Sequence, residues 1–136
     1  MAKAALPIYV VDDDASVRRA LNRLLKLAGF PVETFMSAQE FLDFGQTEGP
    51  GLLVLDVCLP GLSGLALQKV LTASGCRLPI IFITAFDNDQ ERAQGLAAGA
   101  VAYLRKPFQE HQLLEAIRAG LHQAARPSGW PAGEDK

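Results

Sequence analysis

Apolar residues in this chain fall into two rhythms. The runs Ile8-Tyr9-Val10-Val11, Leu52-Leu53-Val54-Leu55, Pro79-Ile80-Ile81-Phe82-Ile83 and Val101-Ala102-Tyr103-Leu104 carry no polar alternation. Runs of this kind, short and bounded by turn residues, predict strands buried on both faces. Val32-Glu33-Thr34-Phe35 alternates instead, as a half-buried edge strand does. Between the strands the period changes. Val17, Ala20, Leu21, Leu24, Leu25 and Ala28 form the stripe of an amphipathic helix, with Asp14 or Ser16 as its cap and Gly29 at its end.

Four more helices follow from local signals. Ser37-Ala38-Gln39-Glu40 is a capping box that opens a short helix ended by Gly45. Leu65 to Ser74 reads as a third helix, stopped by Gly75. Asn88 with Glu91 starts a fourth, closing at Gly99. Leu113, Leu114, Ile117 and Leu121 mark a fifth, reaching Ala125, for which Gln109 is a poor cap.

Five alternations of strand and helix predict an α/β, doubly wound (βα)5 sandwich of flavodoxin-like type with helices on both faces. The edge character of the second strand favours a parallel sheet of order 2-1-3-4-5. Ligands in such a sheet bind at the carboxyl ends of the strands flanking the topological switch, here strands one and three.

Composition narrows the reading further. The chain has 136 residues, 49% hydrophobic and 21% charged, with a net charge of −2. These values suit one ordinary domain and give no bulk electrostatic sign of nucleic-acid binding. Residues 1–125 are expected to form the domain, and 126–136, where periodicity breaks down around Trp130, a flexible tail or the start of an interdomain linker. The two cysteines, Cys58 and Cys76, make neither a disulfide framework nor metal-ligand spacing. A cytoplasmic location is therefore the expectation, and no apolar stretch approaches membrane-spanning length.

The candidate chemistry lies where the buried strands end. Asp12 and Asp13 follow the first, Asp56 the third, Thr84 the fourth and Lys106 the fifth. Parallel strands would bring all of them to one edge of the sheet. Two carboxylates about 5 Å apart repel by roughly 3 kcal/mol at an effective dielectric near 20. Three acids therefore call for protonation or a cation, and hard oxygen donors suit Mg2+. Asp56 could then attack a phosphoryl group, with Lys106 neutralising charge and Thr84 donating a hydrogen bond.

The segments Val10-Val11-Asp12-Asp13-Asp14, Leu55-Asp56-Val57-Cys58-Leu59-Pro60-Gly61-Leu62-Ser63-Gly64, Ile83-Thr84-Ala85 and Lys106-Pro107-Phe108 jointly resemble the signatures of the response-regulator receiver domain of two-component signalling. The resemblance covers residues 5 to 125 and is strongest to the FixJ-like branch. It implies that Asp56 is the phosphoacceptor for a sensor histidine kinase. It implies Mg2+ held by Asp13, Asp56 and the backbone carbonyl of Cys58, with Asp12 acting through water. Thr84 and Lys106 would bind the phosphoryl group, and Tyr103 would be the aromatic that turns inward as Thr84 moves. Lys106-Pro107 would be a cis bond. Phosphorylation would change the surface of the fourth helix, fifth strand and fifth helix and promote a homodimer. DNA would be reached only through an effector domain outside this chain, and no membrane is involved.

Other readings stand beside this one. A stand-alone receiver and an adaptor that is never phosphorylated share the same fold. An aspartyl-phosphate phosphatase needs a second acid two residues beyond the nucleophile, and that place is Cys58. No glycine-rich phosphate loop follows the first strand, which argues against a nucleotide-binding module. The chain is thus expected to catalyse only its own phosphorylation and dephosphorylation, through Asp56 and Lys106. Asp14 reads as a cap rather than a ligand, Cys58 as an inert thiol and Cys76 as a surface or loop thiol. His111 and His122 lie about 16 Å apart by helical rise and cannot share a metal.

Overall fold

Parallel pairing joins the four apolar runs and the alternating strand in a computed structural model that describes residues 6–45, 50–86 and 88–124. The elements run β1 (Ile8–Val11), α1 (Ala15–Leu27), β2 (Val32–Phe35), α2 (Ala38–Phe44), β3 (Leu52–Asp56), α3 (Gly64–Ala73), β4 (Ile80–Thr84), α4 (Asp89–Ala97), β5 (Ala102–Arg105) and α5 (Glu110–Ala124). The sheet order is β2-β1-β3-β4-β5, the one that the edge character of the second strand favours. The expected tail, residues 126–136 with Trp130, lies outside the described residues.

Register explains why the buried runs lack alternation. Val10 pairs with Val54 and Val11 with Leu55, and Phe82 with Tyr103. One face of the sheet packs Ile8, Val10, Leu52, Val54, Ile81 and Ile83 against Leu21 and Leu25 of α1 and Leu113 and Ile117 of α5. The other packs Tyr9, Val11, Leu53, Leu55, Phe82 and Tyr103 against Phe41 of α2 and Leu67 and Leu71 of α3. Both faces are covered, so every residue of β1, β3 and β4 is buried, whereas β5, expected to be buried on both faces, is the other edge strand and buries only Tyr103. β2 departs from strict alternation: Glu33 and Thr34 are both exposed, and only Phe35 is buried. As an edge strand it has helix cover over only part of its length.

The helix signals hold with small shifts at the ends. Asp14 caps α1, accepting from Ser16 N–H at 2.8 Å. Ser37 accepts from Glu40 N–H, but the Glu40 carboxylate returns to Met36 N–H rather than to Ser37. Gly45 takes the left-handed conformation that closes α2. α3 begins one residue earlier than expected, capped by Ser63. The weak cap at Gln109 is compensated from within the helix, because the Gln112 side chain accepts the Gln109 N–H at 2.8 Å.

Candidate functional site

Four strand ends deliver the polar residues singled out in the sequence to one edge of the sheet. Asp12 follows β1, Asp56 ends β3, Thr84 ends β4, and Lys106 follows β5. Asp12 and Thr84 are fully buried, and Asp56 is 4% exposed. Asp13 turns outward beside them. One oxygen from each of Asp12, Asp13 and Asp56 lies within 4.8 Å of the others.

Lys106 reaches into this cluster. Its Nζ lies 2.8 Å from Asp12 Oδ2 and 3.4 Å from Asp56 Oδ2. The Lys106-Pro107 bond is cis, as the resemblance implied. The Lys106 N–H donates to the Thr84 carbonyl at 2.7 Å, tying the strand ends together. On the other side, Asp56 Oδ1 accepts the Cys58 N–H at 3.1 Å, and Asp12 Oδ1 accepts the Asp14 N–H at 2.9 Å.

Three carboxylates and one ammonium leave an excess of negative charge, and the titration of Asp56 reflects it. Burial, then the charge of Asp12, push its pKa from 3.8 up to about 6, against the pull of Lys106 and of the Cys58 N–H. Burial works to lower the Lys106 pKa, but its hydrogen bond to Asp12 and the charges of Asp56 and Asp12 prevail and raise it. Lys106 is therefore a permanent cation at neutral pH. The donor set fits a small, hard divalent ion: oxygens only, clustered, with one acid facing solvent and charge left to neutralise.

Two expected residues stand differently from the acids. The Thr84 hydroxyl points into its own loop, donating to the Phe86 carbonyl and accepting the Phe86 N–H, each at 3.1 Å. It also lies 3.8 Å from Cys58 Sγ. Tyr103 is not in the acid cluster. It is already buried, its ring 6.2 Å from that of Phe82 and beneath the Arg92 guanidinium at 4.9 Å. Asp14 serves as a cap, and His111 and His122 are both exposed. Cys76 is half-buried, and burial raises its pKa.

Sequence reasoning missed Arg18. Its Nη1 donates to the Asp12 carbonyl at 2.7 Å, fixing the turn that carries Asp12 and Asp13. On a surface helix, nothing in the pattern separates this arginine from the neighbouring Arg19.

Comparison with known proteins agrees with this geometry. The family model described as response regulator receiver domain matches residues 8–118. The transcriptional regulatory protein TdiR of Thauera aromatica is 44% identical over 117 residues, covering 86% of this chain and 52% of TdiR. The chain thus spans about half the length of the curated relatives it matches. Among solved structures, the response regulator StyR superposes with a TM-score of 0.84 at 48% identity, over 90% of this chain and 62% of that one. Full-length FixJ from B. japonicum gives 0.83 at 38% identity, over 90% and 61%. Among the described residues, no helix is long and apolar enough to cross a membrane.

Proposed function

Because the chain belongs to the response regulator receiver domain family, we propose that it is a phosphorylation switch charged on Asp56 by a sensor histidine kinase. The observation that carries this reading is the Lys106 ammonium set between Asp12 and Asp56 at the carboxyl edge of the sheet. A bound Mg2+, held by Asp13, Asp56 and the Cys58 carbonyl with Asp12 behind them, would supply charge neutralisation for the incoming phosphoryl group.

The chain's own residues do the rest. Asp56 Oδ1 is anchored on the Cys58 N–H, which fixes the carboxylate plane. An Asp56 oxygen forms the new O–P bond while the N–P bond of the phosphohistidine breaks, and the imidazole leaves with the electron pair. Lys106 carries a charge that can follow the phosphoryl oxygens, since its contact with Asp56 is the looser of its two. Thr84 then exchanges its bonds to Phe86 for one to a phosphoryl oxygen, and the loop before α4 moves with it.

The output we infer is a rearranged α4-β5-α5 surface that favours a homodimer. Residues 1–125 form the receiver, and 126–136 a tail or the start of a linker. The greater length of its relatives supports an effector domain beyond this chain, through which DNA would be reached, and a cytoplasmic setting fits both. Cys58 at the second position past Asp56 leaves no general acid for hydrolysing a separate substrate.

Incubation with acetyl phosphate and Mg2+, followed by intact mass measurement, tests the central claim. Addition of one phosphoryl group is expected for the wild type and none for Asp56→Asn. Undiminished labelling of the variant would remove Asp56 from its role.

A further inference from the structure

The fourth helix is seated without an apolar stripe. Surface helices normally turn three or four apolar residues per two turns toward the core. Of the residues in α4 only Gly95 is buried, and Leu96 is 40% exposed. Contacts of another kind are seen instead. Gly95 lies so close to Phe82 that a Cβ there would stand 2.9 Å from a ring carbon. Arg92 covers the Tyr103 ring. From α3, the Gln68 side chain, 3% exposed, donates from Nε2 to the Gly95 carbonyl at 3.0 Å. That same carbonyl accepts the Ala100 N–H at 3.1 Å, the bond that closes the end of α4.

A buried amide joining two helices across 27 residues of sequence is a costly choice for a core position, where leucine would pack without needing a partner. Glycine is also a poor residue for a helix interior. Both departures meet at one carbonyl. Beside them lies a half-open pocket of about 290 Å³ lined by Gln68, Leu71, Cys76, Ile80, Ala98 and Gly99, next to the C-terminal end of α4.

We propose that Gln68 is a latch on α4: its bond to the Gly95 carbonyl sets how often the helix leaves its seat on Phe82 and Tyr103, and so biases the switch. The second half of this statement rests on the phosphorylation reading above. The first half does not.

Amide hydrogen exchange on the 136-residue chain tests both. Gln68→Leu removes the donor, keeps the volume, and leaves the Gly95 carbonyl bonded to Ala100. Losing one hydrogen bond of ordinary net strength should speed exchange in α4 by about 2- to 10-fold, with α1 and α2 unaffected. Gly95→Ala, which drives a methyl at the Phe82 ring, should produce the same local acceleration. With acetyl phosphate and Mg2+, the change in α4 exchange should be smaller in Gln68→Leu than in the wild type. Unchanged α4 exchange in Gln68→Leu overturns the latch, as does equal acceleration in every helix. A phosphodonor response of wild-type size in that variant removes Gln68 from the switch. If the wild type itself does not respond to the donor, the phosphorylation reading fails, while the comparison without donor still decides the latch.

Discussion

Replacing Asp56 by asparagine should make the metal-free protein more stable at neutral pH, although it removes the proposed phosphoacceptor. Asp56 is 4% exposed and shares its pocket with Asp12, and Lys106 lies 3.4 Å away. Its pKa is raised from 3.8 to about 6. Each unit is worth about 1.4 kcal/mol, so the ionised carboxylate disfavours the folded state by about 3 kcal/mol once it is fully charged. The sign follows from proton counting. Between these two pKa values the folded chain holds a proton that the unfolded chain has released, so stability falls as pH rises through that window. Asparagine cannot ionise, yet its carbonyl can still accept the Cys58 N–H that now goes to Oδ1.

The expected result is a gain of about 2 to 3 kcal/mol for Asp56→Asn near pH 7.5, shrinking toward zero near pH 4. Urea unfolding in chelator, at several pH values across that range, measures it through the shift in midpoint at constant slope. Adding Mg2+ should stabilise the wild type, by about 2.7 kcal/mol at a hundredfold excess over the dissociation constant, and the variant far less. Equal stability of the two proteins at neutral pH, or a difference that does not shrink on acidification, would refute the claim that this carboxylate is held in an unfavourable site.

Lys106→Ala should leave Mg2+ binding roughly intact by calorimetry but abolish self-association driven by phosphorylation; dimerisation equal to wild type in sedimentation would remove Lys106 from the switch. Gly64→Ala should cost about 2 to 4 kcal/mol by thermal unfolding and slow labelling by acetyl phosphate, because a Cβ there would collide with the Asp56 carbonyl oxygen and press on Val57. Asp14→Ala should cost about 1 kcal/mol of stability through the lost cap on α1, and Mg2+ affinity should stay within about twofold of wild type. A large loss of affinity would make Asp14 a ligand after all.

Much of the fold could be read from the sequence because burial on both faces keeps β1, and β3 and β4 up to their last residues, free of charged and hydroxyl side chains other than Tyr9. The helices between them carry side-chain caps at Asp14, Ser37, Ser63 and Asn88. Once the strand order was set, the acids and Lys106 had only one edge at which to meet. Other features were hidden because they depend on side-chain direction rather than on residue type. Thr84 has the same letter whether its hydroxyl faces Asp56 or, as found, the Phe86 backbone. Gln68 sits in α3 where a polar residue suggests solvent, and only three dimensions reveal the carbonyl it meets. Arg18 was lost among the exposed cations of α1 in the same way. The missing apolar stripe of α4 was visible in the letters, but its meaning required knowing that Gly95 rests on Phe82.

The placement of Thr84 and Tyr103 bears on how such a switch would work in this chain. The resemblance implied that Tyr103 turns inward as Thr84 moves toward the phosphoryl group. Here Tyr103 is already inside, beside Phe82 and under Arg92, while Thr84 still holds both polar groups of Phe86. In this arrangement the ring is already accommodated. What remains is to move the Thr84 hydroxyl, at the loss of two neutral hydrogen bonds worth about 1 kcal/mol each, toward a charged acceptor that offers about twice the strength of one. Those terms nearly cancel, which places the two arrangements within a few kcal/mol of each other, the range in which a single covalent charge can shift the population. Phe86, 71% exposed on the loop that Thr84 restrains, is the residue whose backbone would be released first. The helix that follows buries a glycine rather than an apolar face, and a stacked arginine and an amide bond it to its neighbours. On the reading proposed above, a change at Asp56 would reach the surface through this loop and the helix behind it.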